Sequence, residues 1–238
     1  MPRSLVKAPQ HSPDTNPHRT VRELAAMLDF SFYITTPRLA ITYFNPSKES
    51  HIALTLELYK DYTTVDENGN TKPTIPDRAA AIDMMETRST QIETSGYGRY
   101  CVSVLPPAES HEDTAKRVEN ATPVGLVGLN LRGPDTPQLP DIGFNLLPAA
   151  RGKGYAAEAV KGLSDYYDRE KGVTELLGYC DDDNEASMKV LRRAGFELLG
   201  ERNIRALQSP GQVSKGKHPL KLLVWVRGLK KDPKEYGL

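Results

Sequence analysis

The residues best suited to chemistry stand in one short run, Ala150-Arg-Gly-Lys-Gly-Tyr-Ala-Ala157. Gly152 and Gly154 flank Lys153. Glycines at this spacing let the backbone bend tightly and leave no Cβ between the amide groups and a ligand. From Gly154 onward the pattern turns helical. The first turn of a helix carries unpaired N–H groups and the positive end of the helix dipole. A phosphate or pyrophosphate is the natural ligand for such a turn, and each charge-assisted bond contributes roughly 1.5–3 kcal/mol. The candidate anion-binding residues are therefore Arg151, Gly152, Lys153, Gly154, Tyr155 and Ala156. At this level an ordinary tight turn with a solvated basic tip explains the same residues equally well.

The neighbouring segments must position this turn. Ile142 to Leu147, between Asp141 and Pro148, is apolar and aromatic with little charge and reads as a buried strand. After the turn, Ala156, Ala159, Val160, Leu163 and Tyr167 form one helical stripe, with Glu158, Lys161, Asp165 and Asp168 off it. Val173 to Cys180 reads as a second strand. Ser187 to Ala194 reads as a short helix closed by Gly195, and Phe196 begins another strand. Three phosphate-binding patterns compete for the turn. A P-loop requires Ser or Thr after the lysine, and Lys153 is followed by Gly154. A dinucleotide fingerprint is met by Gly152, Gly154 and Ala157, but its acidic partner, due about 20 residues later, arrives late at Asp181 to Asp183. The third pattern, Arg-x-x-Gly-x-Ala, is met by Arg151, Gly154 and Ala156.

The order Arg-Gly-Lys-Gly-Tyr-Ala, helix, strand, Asn184-x-x-Ser187, short helix, Gly195-Phe-Glu resembles the acetyl-CoA-binding half of the Gcn5-related N-acetyltransferase (GNAT) superfamily. The similarity is greatest to the branch that includes the ribosomal-protein N-terminal acetyltransferases. It covers about Asp141 to Glu201, with a weaker echo of the family's first strand at Thr36-Pro-Arg-Leu-Ala-Ile. The resemblance implies an α/β fold: a central mixed, largely antiparallel twisted sheet flanked by helices and splayed around the acetyl-CoA site. It implies CoA pyrophosphate on the amides of Arg151 to Ala156, and pantetheine along the backbone of Asn145, Leu146 and Leu147. It also places Asn184 near the pantetheine arm and Ser187 near the sulfur. Many relatives carry a tyrosine seven residues after that asparagine, as the acid for the departing thiolate. Leu191 stands there, so Ser187 or a water becomes the candidate donor. For the base, Asp141 opens the strand where some relatives have a catalytic glutamate, and Glu86 is a weaker candidate. Strand alternation puts Asp141, Gly143 and Asn145 on one face. Each of these residues has a plainer reading: Asn184 as a helix N-cap, with Asp182 or Asp183 as rivals, Ser187 as a first-turn residue, and Asp141 as a solvated strand-start acid.

Composition bounds the alternatives. The 238 residues carry no formal net charge, which argues against nucleic acid or a membrane surface as the main partner. It also leaves no surplus for a strongly acidic groove. Two cysteines, Cys101 and Cys180, exclude a disulfide framework, and the five histidines lack metal-ligand spacing, so no metal is expected. No apolar run is long enough to span a membrane, and a cytoplasmic location, as monomer or homodimer, is expected. Residues 1–18 read as a disordered arm, 19–30 as a helical extension, 31–229 as the catalytic domain and 230–238 as a frayed tail. Ser47 to Tyr59, capped by Ser47 or Ser50, and Asp77 to Thr94 read as helices. Asp61 to Pro76 and Pro106 to Pro123 read as loops. Arg99 to Leu105 pairs with Val124 to Leu131, and Phe196 to Ala206 with Leu220 to Val226 closes the chain. Lys215, Lys217 and His218, in the late connection, either solvate it or meet an anionic part of a substrate or of CoA.

Taken together, the sequence leads to an acetyl-CoA-dependent N-acetyltransferase acting on a small amine or a peptide N-terminus by direct transfer. A catalytically silent acyl-CoA sensor is the alternative, and a nicotinamide dehydrogenase is a distant third.

Overall fold

Runs such as Leu39-Ala-Ile-Thr-Tyr and Tyr100-Cys-Val-Ser-Val are rich in β-branched and aromatic residues and become strands buried on both faces. The computed structural model describes residues 6–7, 28–65, 69–108, 113–133, 136–203 and 221–238. In chain order these form β1 (Val6–Lys7), β2 (Tyr33–Thr35), β3 (Leu39–Tyr43), α1 (Glu49–Tyr59), β4 (Thr63–Val65), β5 (Thr71–Pro73), α2 (Arg78–Ser95) and β6 (Arg99–Val104). They continue with α3 (Thr114–Glu119), β7 (Thr122–Asn130), β8 (Asp141–Leu146), α4 (Tyr155–Lys171), β9 (Leu176–Asp181), α5 (Glu185–Arg193), β10 (Glu197–Asn203) and β11 (Lys221–Arg227).

One sheet runs in the order β1-β2-β3-β6-β7-β8-β9-β11-β10, and β4 and β5 form a separate hairpin. Every described neighbour pair is antiparallel except β8 with β9. The sheet is therefore mixed and largely antiparallel, as the resemblance implies. Helices cover both faces. The stripe of α4, Ala159, Val160, Leu163 and Tyr167, is buried with Ile41, Val102, Val127 and Ile142. On the opposite face Ile52 and Leu58 of α1 and Ala81 and Met85 of α2 pack with Cys101 and Leu126.

Several segments depart from expectation. Val6–Lys7, within the stretch read as a disordered arm, pairs with β2 at the sheet edge. The helix expected at 19–30 falls almost wholly outside the described residues. Asp61 to Pro76 holds the β4/β5 hairpin, whose three-residue strands are exposed throughout and show no alternation. Pro106 to Pro123 contains α3, capped by Asp113. Neither Ser47 nor Ser50 caps α1: the cap position is Lys48, without a side-chain bond. The entry turn is set instead by Asn45, whose carboxamide oxygen accepts from the Ser47 N–H at 2.9 Å. The tail is tied down, because Glu175 accepts from the Lys230 N–H at 2.9 Å and from the Tyr236 hydroxyl.

Candidate active site

The glycine turn is built as an anion cradle. Residues 148–150 form a single 3-10 turn, and Gly152 and Gly154 adopt φ of 77° and 80°. These are left-handed conformations that cost a residue with a Cβ about 1–2 kcal/mol. Gly154 is the N-cap of α4 and offers no side chain to the first-turn amides, which leaves them for a ligand. A cavity of about 520 Å³ opens here. Its wall includes Gly152, Gly154, Tyr155 and Ala156 from the turn, Asn145 and Leu146 from β8, and Asn184 and Ser187 from α5.

Arg38, a residue that sequence reasoning missed, holds the turn in place. Its Nε donates to Glu158 Oε2 at 2.7 Å, its Nη1 to the Lys153 carbonyl at 2.9 Å, and its guanidinium lies 4.8 Å from the centre of the Tyr155 ring. The Arg38 N–H and the Thr36 hydroxyl also donate to Glu158 Oε1. The Thr36-Pro-Arg segment thus anchors a turn more than a hundred residues away. The Arg151 side chain, read as a possible phosphate ligand, lines this cavity and donates its Nε to the Leu146 carbonyl at 2.9 Å. Lys153 is exposed, and the described link from it to the site is its carbonyl.

The sheet opens beside this turn. β8 pairs with β9 only at Asp141↔Leu177 and Ile142↔Gly178, while its other edge stays paired with β7 through Leu146. Beyond Ile142 one edge of β8 is therefore exposed in the gap. Two bonds fix which backbone groups face it. Pro140 C=O accepts from Leu177 N–H, toward β9, and Leu147 N–H donates to Val124 C=O, toward β7. Alternation then turns the backbone groups of Phe144 and Leu146 into the gap and those of Asn145 to β7. This corrects the expected backbone set of Asn145, Leu146 and Leu147. Of the three, only Leu146 faces the gap, and it is joined by Phe144. The Asn145 side chain still lines the cavity.

A second cavity, of about 590 Å³, lies on the other side of β8. Tyr59, Tyr62, Thr63, Met84, Arg88, Arg99, Asn130, Gly143, Phe144 and Asn145 belong to its wall. The hairpin read as a loop supplies part of this wall. Tyr62, Phe144 and Asn145 line both cavities, so the two meet where β8 parts from β9.

The proposed catalytic residues are dispersed. Ser187 lines the cavity at the glycine turn and donates its N–H to Asn184 Oδ1 at 3.0 Å. Asn184 is indeed the N-cap of α5. Leu191 is buried under Gly178, where an added Cβ would stand 2.8 Å from Leu191 Cδ2, so this position is part of the core. Asp141 shares the face of Gly143 and Asn145 but lines neither cavity. It is 4% exposed, and both carboxylate oxygens accept from Arg132, at 2.6 and 2.9 Å. Glu86 lines neither cavity. Cys101 and Cys180 are buried and free, and burial pushes the Cys101 thiol up to about 12. Among the described residues no group of His, Cys, Asp and Glu could hold a metal, and no helix is long and apolar enough to cross a membrane.

A strand opening onto a glycine turn and an uncapped helix, with a gap between two parallel strands, defines a class. The model of the acetyltransferase (GNAT) domain matches residues 42–197, and the chain belongs to that family, with acetyl-CoA as co-substrate. No curated protein matches the sequence. The microcin C7 self-immunity acetyltransferase MccE, solved with acetyl-CoA and AMP, is similar with a TM-score of 0.58 at 14% identity. That match covers 82% of this chain and 94% of MccE. The ribosomal-protein-S5-alanine acetyltransferase of Vibrio fischeri gives 0.57 at 12% identity, over 84% of this chain and 97% of the other. RimL, the ribosomal L7/L12 α-N-protein acetyltransferase, solved with coenzyme A, gives 0.55 at 15%, over 82% and 96%. At these identities the likeness is one of fold.

Proposed function

We propose that the protein is an acetyl-CoA-dependent N-acetyltransferase that moves the acetyl group directly onto a primary amine, a small molecule or a peptide N-terminus, while both substrates are bound. The observation that carries this reading is the meeting of the two cavities at Tyr62, Phe144 and Asn145. Each substrate has its own compartment, and the compartments join at the gap in the sheet. Neither cysteine lines either compartment, which favours direct transfer over a covalent relay.

Bound acetyl-CoA supplies the activated acetyl group. The first-turn amides of α4 offset pyrophosphate charge, and Arg38 keeps their turn rigid. The Phe144 and Leu146 N–H groups face the gap as fixed donors toward developing negative charge on a carbonyl oxygen, a form of stabilisation that needs no reorganisation. Ser187, or a water beside it, gives the proton to the departing sulfur. No Asp, Glu or His among the described residues lines either cavity. The amine therefore attacks as its free base, favoured by desolvation and by the nearby cations Arg88 and Arg99, both of which disfavour an ammonium.

Calorimetry with CoA and thiol release with a panel of amines test this reading. CoA binding together with amine-dependent thiol release is expected. CoA binding without thiol release from any amine would leave the silent sensor standing instead.

A further inference from the structure

Tyr59, in the last turn of α1, is buried, and its hydroxyl accepts from two guanidinium groups: Arg88 Nη2 at 2.8 Å and Arg99 Nη1 at 2.7 Å. The Arg88 guanidinium also lies 5.0 Å from the centre of the Tyr59 ring. All three residues line the cavity on the acceptor side. Both arginines are half-buried. Among the described residues no carboxylate pairs with either one, and none lines that cavity. Burial, and next the charge of Arg99, pulls Arg88 below its ordinary value. Two like charges that converge on one neutral oxygen are a costly arrangement in a fold that elsewhere pairs Arg38, Arg78, Arg132 and Arg227 with carboxylates. An oxyanion is the group that would relieve the cost, because each arginine fork matches carboxylate and phosphate geometry.

The register fixes where this cluster stands. Arg99 pairs with Gly128, and Gly128 with Gly143. The three lie in one row across the sheet, with Arg99 two strand spacings, about 10 Å, from the strand that opens the gap. The long arginine side chain takes up part of that span. A cavity of about 590 Å³ falls within the range typical of small-ligand sites, roughly 300–1,000 Å³.

On the acetyltransferase reading above, on which this inference rests, the geometry points to an acceptor that is a small primary amine carrying an oxyanion, a carboxylate or a phosphate, a few bonds from its nitrogen. Arg88 and Arg99 bind the oxyanion, Tyr59 holds the two guanidiniums apart in register, and the amine is thereby set against the gap at Phe144 and Asn145. The acetyl carbon–nitrogen bond forms as the thioester carbon–sulfur bond breaks. The amine loses one proton, and the sulfur gains one.

The test uses the full chain, thiol release, and amine pairs that differ by the oxyanion: amino acids against their carboxamides, and O-phosphoethanolamine against ethanolamine. Each kcat/KM is referred to the free-base fraction of its amine, because removing the oxyanion also lowers the amine's pKa. The oxyanion member of at least one pair should have the higher kcat/KM by tenfold or more, and which pair responds distinguishes carboxylate from phosphate. Arg88→Gln and Arg99→Gln should each raise KM for that amine by tenfold or more and collapse the ratio within the pair toward one. Arg88→Lys should recover part of the loss. CoA affinity, measured in the same variants, should match wild type and shows that they are folded. Turnover that favours the neutral members, or that is confined to peptides with acidic residues near the N-terminus, would overturn the inference and leave the acetyltransferase reading intact. Absence of CoA binding and of thiol release with every amine would overturn both.

Discussion

Arg132 and Asp141 face each other across the end of the β7/β8 hairpin, joined by two parallel bonds of 2.6 and 2.9 Å. Burial works against the arginine's charge, and the bond and charge of Asp141 more than restore it. Asp141 also opens the short parallel ladder to β9, pairing with Leu177. The acid thus sits at the apex of the gap and braces the point where the strands begin to diverge.

Asp141→Asn should accordingly act on the brace. A stability loss of about 1–2 kcal/mol is expected, at the low end for a charged hydrogen-bonded pair because the arginine side chain is 39% exposed. The pH–rate profile should keep its shape. Thermal melts and a pH series of kcat/KM measure the two effects. Loss of an acidic limb in the variant would instead make Asp141 the base.

Gly154→Glu should reduce CoA affinity at least a hundredfold in a folded protein. The left-handed backbone at φ 80° costs about 1–2 kcal/mol for any side chain. A Cβ there stands 3.4 Å from Arg38 Nη2, so the new carboxylate would compete for the arginine that braces the turn and add negative charge where the pyrophosphate is proposed to bind. Calorimetry with CoA reads the loss. Unchanged affinity in a folded variant would remove the pyrophosphate from this turn.

Gly143→Val separates the two compartments. A Cβ at Gly143 meets only Asn130 Nδ2, at 3.8 Å, and Gly143 belongs to the wall of the 590 Å³ cavity, so valine is expected to take up space there. KM for the amine should rise tenfold or more while CoA affinity and melting temperature stay near wild type. An unchanged KM would show that the amine binds elsewhere.

His51 gives the fold an acid sensitivity separate from its carboxylates. It is 6% exposed, and its Nδ1 accepts from the Asn45 N–H at 3.0 Å. Burial, aided by the Lys48 charge, lowers it from 6.5 to about 4. The unfolded chain then binds this proton before the folded one does. The stability it contributes is complete above pH 6.5, falls as the pH drops, and is gone below about 4. At about 1.4 kcal/mol per unit the loss is roughly 3 kcal/mol. His51→Asn should flatten that part of the stability curve when subtracted from wild type. Parallel curves between pH 6.5 and 4 would contradict it.

The half of the site made by consecutive residues could be read from the sequence. The turn at Arg151 to Ala156, the α4 stripe, the Asn184 cap and the Gly195 helix end all depend on local spacing, and Gly195 does adopt a left-handed φ of 90°. The other half depends on partners far apart in the chain. Nothing near Arg38 announces Glu158, and nothing near Arg88 or Arg99 announces Tyr59. The backbone register of β8 was beyond reach because one residue of shift swaps which groups face the gap. The β4/β5 hairpin has no buried face, so it leaves no hydrophobic pattern. The late connection at 207–219, with Lys215, Lys217 and His218, lies outside the described residues.

The parting of β8 from β9 also bears on solubility. An unpaired strand edge ordinarily invites another chain to add itself and start an aggregate. Here that edge of β8 borders a cavity lined by the glycine turn and α5, and its Leu146 carbonyl already accepts from Arg151. A whole polypeptide strand, with side chains on both faces, needs more room beside this edge than a slender, unbranched chain does. The fold can therefore keep an open edge in the middle of its sheet, and admit a thin ligand to it, without offering a template for self-association.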